Sequence, residues 1–326
     1  MSEPYFKKVI SSVGWAMLIL WGLMQVFDVT MVLILPVLLS QLPLSSVASE
    51  VVYQLLYGAG YMATFMLPAL LLFPILKKKA CTPIPIAFEA RLSPVLPFLV
   101  FSSLAVCFSA ARINAFMVDL FHYSEIFADV AVEEIARETP YGTVLNFIVI
   151  AIVPGLCEEL LFRGAVLGNL LPFGRTNAVL ISAFLFAFMH QNVEQFFYTF
   201  AMGIVLGLVY ERTGSIWNCT LIHVLNNFLS VIMQSLYSVN PNSTTLSIVM
   251  LCIEGGIYLL GIISAALLVM RHFSKGEALD DGVFEKSIPA ADAYAEYPLK
   301  SGRIFWLLCT PTLLVFAVLC CVQALL

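Results

Sequence analysis

A chain of 326 residues that is 61% hydrophobic and 11% charged, with a mean hydropathy of +0.95, cannot bury its apolar surface in a water-soluble core and still present a polar exterior. Its net charge of −5, with no concentrated basic surface, argues against nucleic acid as a partner. What remains is a protein whose solvent is the lipid bilayer.

Apolar runs follow in order at Val13 to Leu39, Val51 to Leu76, Pro94 to Leu120, Thr143 to Leu171, Asn177 to Asn192, Phe196 to Tyr210, Ser215 to Leu236, Leu246 to Met270 and Ile304 to Leu326. Most are long enough to cross as helices, which predicts an all-α polytopic membrane helix bundle of about eight or nine transmembrane helices. The first run is too long for a cleaved leader and lacks a small-residue cleavage site, so it reads as a retained helix. The fifth and sixth runs are short and separated only by Val193, Glu194 and Gln195, a spacing that suits a tight helical hairpin or a single broken element. Between the runs, His122 to Tyr141 places Ile126, Val130 and Ile135 among acids at roughly helical spacing, as an interfacial helix would. His272 to Arg303 mixes glycines, acids, Pro289 and Pro298 and reads as a solvated connector. The chain is read as a single integral membrane domain over 1–326.

Lys7, Lys8, Lys77, Lys78, Lys79, Arg91, Arg175, Arg212, Arg271, Lys275, Lys286, Lys300 and Arg303 all fall on one side of this arrangement, with only Arg112 and Arg137 toward the other. The positive-inside rule then puts the N-terminus in the cytoplasm, with the cell membrane as the natural location. The eight cysteines lie mostly inside apolar runs and form no CxxC pair, so they read as small hydrophobes.

Charge inside a bilayer is costly to keep, which makes Glu158, Glu159 and Arg163 in the fourth run the most informative residues of the chain. On a helix Glu159 and Arg163 share a face, while Glu158 is rotated by about 100° and has no local cation. That makes Glu158 the candidate general base, able to take a proton from water and return it. Pro154, four residues earlier, predicts a bend just before the acids. Alone, the three charges fit a structural ion cluster as well as they fit a site. The fifth run adds Phe186 and His190, and the seventh adds His223 and Asn227, each pair four residues apart. Helical rise puts Glu158 and His190 each about 20 Å from the inner end of its run, with Asn227 near that depth and His223 one turn nearer the inside. A carboxylate, two imidazoles and a carboxamide around one cavity have the parts for hydrolysing an amide: an acid to activate water, an imidazole to orient it and donors for the oxyanion.

The run Glu158-Glu159-Leu160-Leu161-Phe162-Arg163-Gly164 resembles the EExxxR motif of the CAAX protease and bacteriocin-processing family of intramembrane endopeptidases. Phe186 to His190 is similar to its FxxxH motif and His223 to Asn227 to its HxxxN motif, with Phe200, Gly203, Gly207, Tyr210, Thr213, Gly214 and Ser215 like its linking helix and turn. The resemblance covers about Thr143 to Ser230, the expected catalytic core (143–230). It implies a glutamic-type intramembrane endopeptidase. Glu158 would be the catalytic glutamate and His190 the holder of the water. His223 and Asn227 would stabilise the oxyanion, with Glu159 and Arg163 in support. It implies a protein or peptide substrate, prenylated in part of the family, and no cofactor. Zinc is the second choice, because Glu158, His190 and His223 are legitimate ligands, but no HExxH-like helix presents two histidines.

Two other classes fit parts of the pattern. A proton-coupled transporter would use the intramembrane acids Asp28 and Glu254, which have no evident local cation, together with the Glu158 group. A non-hydrolytic scaffold or immunity protein would keep the motifs without turnover. Gly203 and Gly207 form a GxxxG that reads as a close helix contact.

Overall fold

The computed structural model describes residues 2–77, 92–120, 144–145, 147–240, 242–275 and 310–325, and every long element among them is helical. The first rod is α1 (Ser2–Asp28), a π-helical turn (Val29–Ile34) and α2 (Leu35–Ser40) in unbroken succession. Pro36 lies at the start of α2 and has no N–H for an i→i−4 bond, and the turn before it rewinds so that Leu35 N–H reaches back to Thr30 O. Then come α3 (Ser46–Lys77) and α4 (Leu96–Leu120). The same proline device recurs before the acids: a π turn (Ile148–Ile152) precedes α5 (Val153–Glu159), which carries Pro154 in its first turn. The stretch continues through a second π segment (Leu160–Leu167), α6 (Gly168–Leu170) and a 3-10 turn (Leu171–Phe173). The remaining helices are α7 (Arg175–Met189), α8 (Val193–Thr213), α9 (Ile216–Val239), α10 (Thr244–Lys275) and α11 (Pro311–Leu325).

Among the described residues six helices are long and apolar enough to cross a bilayer, while α7 and α11 are shorter apolar helices. Together with the broken stretch 147–173 they correspond to the nine runs of the sequence. The fifth and sixth runs form a hairpin, and the sixth is longer than its apolar stretch: Asn192 accepts a hydrogen bond from Glu194 N–H at 2.7 Å and starts α8 three residues early, giving 21 residues. Gly203 lets α8 lie directly on α7, since a Cβ there would stand 2.8 Å from Ala183 Cα. The close-contact reading of the GxxxG therefore holds.

Every residue from Leu160 to Leu167 is buried, so the motif-bearing stretch is the axis of the bundle, packed by α1, α3, α7, α8 and α9. Outward faces carry Leu251 and Ile262, each 69% exposed, in the inverted pattern lipid allows. One end of the bundle gathers basic residues. Phe6 packs edge-on against Phe173 beside Lys7 and Lys8, and Arg175 pairs with Glu211 at 2.8 Å next to Arg212. Segment 122–141 and most of 272–303 lie outside the described residues, as do Cys81 and Cys309; the six described cysteines are all free.

Candidate active site

Close backbone approach sets the distances between the motifs. A Cβ on Gly155 would meet Val224 Cγ2 at 2.6 Å and Val224 N at 3.2 Å, so only glycine lets α5 press onto α9 at the level of His223. One turn further on, Glu159 is fully buried, with Oε1 accepting from Arg163 Nη1 at 2.8 Å and from His223 Nδ1 at 2.8 Å. Arg163 also donates to Gly203 O at 3.2 Å and lies over the Phe186 ring, 4.6 Å from its centroid. The i,i+4 pair expected from the sequence is thus formed, and it ties α5, α7, α8 and α9 together.

Glu158 has a different environment. Its Oε1 accepts a hydrogen bond from Tyr61 of α3 at 2.5 Å, a partner that sequence reasoning did not supply. Its Oε2 is buried, has no hydrogen-bond partner among the described residues, and stands 3.9 Å from His223 Nε2. The signal for Tyr61 was a ladder of tyrosines at 53, 57 and 61, one per helical turn on an otherwise apolar run, each a polar handle in need of a partner. Tyr53 finds one in Met31 O at 3.3 Å, in the π turn of the first rod.

His190 caps the end of α7, and its Nδ1 donates to Phe186 O at 2.8 Å, which leaves Nε2 as the acceptor. Asn227 Oδ1 accepts from Asn226 Nδ2 at 3.4 Å, a contact that turns the Asn227 amide N–H groups away from its neighbour. Asn226 itself is held by Tyr198 Oη at 2.5 Å and Met202 Sδ at 3.7 Å.

All four residues assigned from the sequence to the chemistry, Glu158, His190, His223 and Asn227, line one cavity of about 410 Å³. Its inner end is buried, with Glu158 and His223 each 3% exposed. Its outer end carries exposed Gln195, Ser230 and Gln234 near the start of α8 and the end of α9, opposite the basic end of the bundle. Among the described residues neither lysine nor arginine lines it. Glu159 and Arg163 stand behind the lining, where they fix His223.

The other intramembrane acids lie elsewhere. Glu254 on α10 has no cation within its own run, as the sequence suggested, but Arg112 on α4 binds both of its carboxylate oxygens, a pairing across helices that spacing within one run cannot reveal. Asp28 sits on an exposed face of α1. Among the described residues no three His, Cys, Asp or Glu side chains are grouped as a metal ion would require.

Residues 140–229 match the family model described as type II CAAX prenyl endopeptidase Rce1-like. Among curated proteins the chain is 36% identical over 93 residues to "Putative membrane peptidase YdiL" of Bacillus subtilis (strain 168), a match that spans 28% of this chain and 37% of that relative. No solved structure matches. Both matches support membership of the CAAX protease and bacteriocin-processing family.

Proposed function

We propose that the protein is an intramembrane endopeptidase in which Glu158 activates water for attack on a peptide bond. The observation that carries this reading is the buried Glu158 Oε2, without a hydrogen-bond partner, at a cavity that His190, His223 and Asn227 also line. Water held between Oε2 and His190 Nε2 gives its proton to the carboxylate as its oxygen bonds to the substrate carbonyl carbon. The developing oxyanion takes hydrogen bonds from the Asn227 amide and from His223 Nε2. Because His223 Nδ1 already donates to Glu159, Nε2 donates only when the ring is doubly protonated. In that form two carboxylates, one guanidinium and one imidazolium sum to zero charge, which limits the cost of burying them. Collapse breaks the C–N bond, and the proton held by Glu158 passes to the leaving amine.

The substrate is a protein or peptide whose scissile segment enters by the uncharged mouth at Gln195, Ser230 and Gln234. With the N-terminus in the cytoplasm by the positive-inside rule, that mouth opens in the outer half of the membrane. A mouth whose described residues carry no charge suits a segment cut internally better than one bound by its terminal carboxylate. The matched family's description as a CAAX prenyl endopeptidase points to a prenylated protein as one class of substrate.

The reading is tested by purified protein in nanodiscs with a peptide panel in ¹⁸O water. Internal cleavage with one ¹⁸O in each new carboxylate, unaffected by chelators, is expected. No cleavage of any peptide, or cleavage lost to a chelator and restored by zinc, would overturn it.

A further inference from the structure

The two adjacent acids differ in how they are held. Glu159 places one oxygen between Arg163 and His223, and its charge is compensated. Glu158 has one neutral donor, the Tyr61 hydroxyl, on one oxygen only. We infer that Tyr61 is the positioning residue for Glu158: it ties down Oε1 so that Oε2 alone faces the cavity as the proton acceptor. The inference rests on the peptidase reading for its consequence and on geometry for its substance.

A carboxylate free to rotate presents either oxygen and loses aim. An arginine in place of the phenol would hold it by an ion pair that competes with proton uptake. A phenol donates one directional bond without a charge. The Tyr61 ring is itself fixed: it stacks on Phe65 with centroids 4.7 Å apart and meets Phe27 edge-on at 5.9 Å. Neighbouring Gly60 faces Phe27 and Met31, whose atoms would lie 2.9 to 3.1 Å from a Cβ there, so α3 is drawn against the first rod at this level. Tyr53, two turns away, anchors the same face of α3 to the carbonyl of Met31. The positioning group is therefore supplied by helices outside residues 140–229, the segment that carries the family match.

The bland alternative is that the phenol merely fills space and satisfies itself on the nearest acceptor. Tyr61→Phe separates the two, because it keeps the ring contacts and removes only the hydroxyl, and Tyr57→Phe is the control from the same ladder. In the full-length protein, Tyr61→Phe is expected to lower kcat about tenfold or more with KM within twofold and Tm unchanged, while Tyr57→Phe leaves kcat alone. A second readout needs no turnover: labelling of Glu158 by a hydrophobic carbodiimide, with Glu158→Gln as the blank, is expected to quicken severalfold in Tyr61→Phe as the carboxyl is released. Equal labelling rates in wild type and Tyr61→Phe overturn the inference whether or not the protein cleaves peptides. So does a kcat loss shared by Tyr57→Phe or matched by a fall in Tm. Absence of cleavage by the wild type, with labelling changed as expected, counts against the peptidase reading and leaves the positioning of Glu158 standing.

Discussion

The α4–α10 contact and the central stretch both bury an acid beside an arginine, yet they use the pair in opposite ways. Between α4 and α10, Arg112 takes both oxygens of Glu254, so each oxygen of that acid is engaged by a cation. On the central stretch, Arg163 and His223 converge on one oxygen of Glu159; Glu158 and Glu159 each keep an oxygen with no partner among the described residues, but of the two only Glu158 lines the cavity. Burial of charge alone thus does not mark a site in a membrane bundle. What distinguishes the proposed site is a buried acceptor left uncommitted in the lining of a cavity.

The largest effect on this contrast is expected from Arg163→Met, which leaves the fully buried Glu159 without its cation and should cost about 3–5 kcal/mol. Thermal denaturation in detergent reads it, and an unchanged Tm would contradict the structural role. Asn227→Ala removes the proposed oxyanion donor, so kcat should fall about 10²–10³-fold at unchanged Tm; a rise in KM alone would move Asn227 from the transition state to ground-state binding. Gly203→Ala forces a Cβ to within 2.8 Å of Ala183 Cα and should destabilise the α7–α8 hairpin by about 1–3 kcal/mol, lowering Tm before it touches chemistry. The smallest effect is expected from Glu254→Gln, about 0.5–1.5 kcal/mol with peptide turnover unchanged, because the Arg112 side chain is 63% exposed and the pair lies away from the cavity. A turnover loss there would erase the distinction between the two acid–arginine pairs and favour a proton path through Glu254.

The sequence was legible where the physics is local. Hydropathy gave the runs, i,i+4 spacing gave the Glu159–Arg163 pair, and helical rise put Glu158, His190, His223 and Asn227 at comparable depth, where one cavity collects them. Partners from distant runs were not legible. Tyr61 lies 97 residues from Glu158 and Arg112 lies 142 from Glu254, and no spacing rule connects such positions. The start of α8 was missed for another reason: Asn192 caps the helix through a side-chain bond, and hydropathy does not register Glu194 or Gln195 as helical. The π turn before Pro154 was visible only as a bend, and the one before Pro36 not at all, because a proline shows that a bond is missing and not how the chain rewinds around it.

The account turns on one proton acceptor. The most direct measurement is kcat of purified Glu158→Gln against wild type on the same peptide, with Tm recorded for both and Glu254→Gln alongside. Glutamine retains a carbonyl oxygen for the Tyr61 hydroxyl and loses only the basic lone pair, so the fold should stand and turnover should fall by about a thousandfold. Turnover by Glu158→Gln within tenfold of wild type would contradict the central claim.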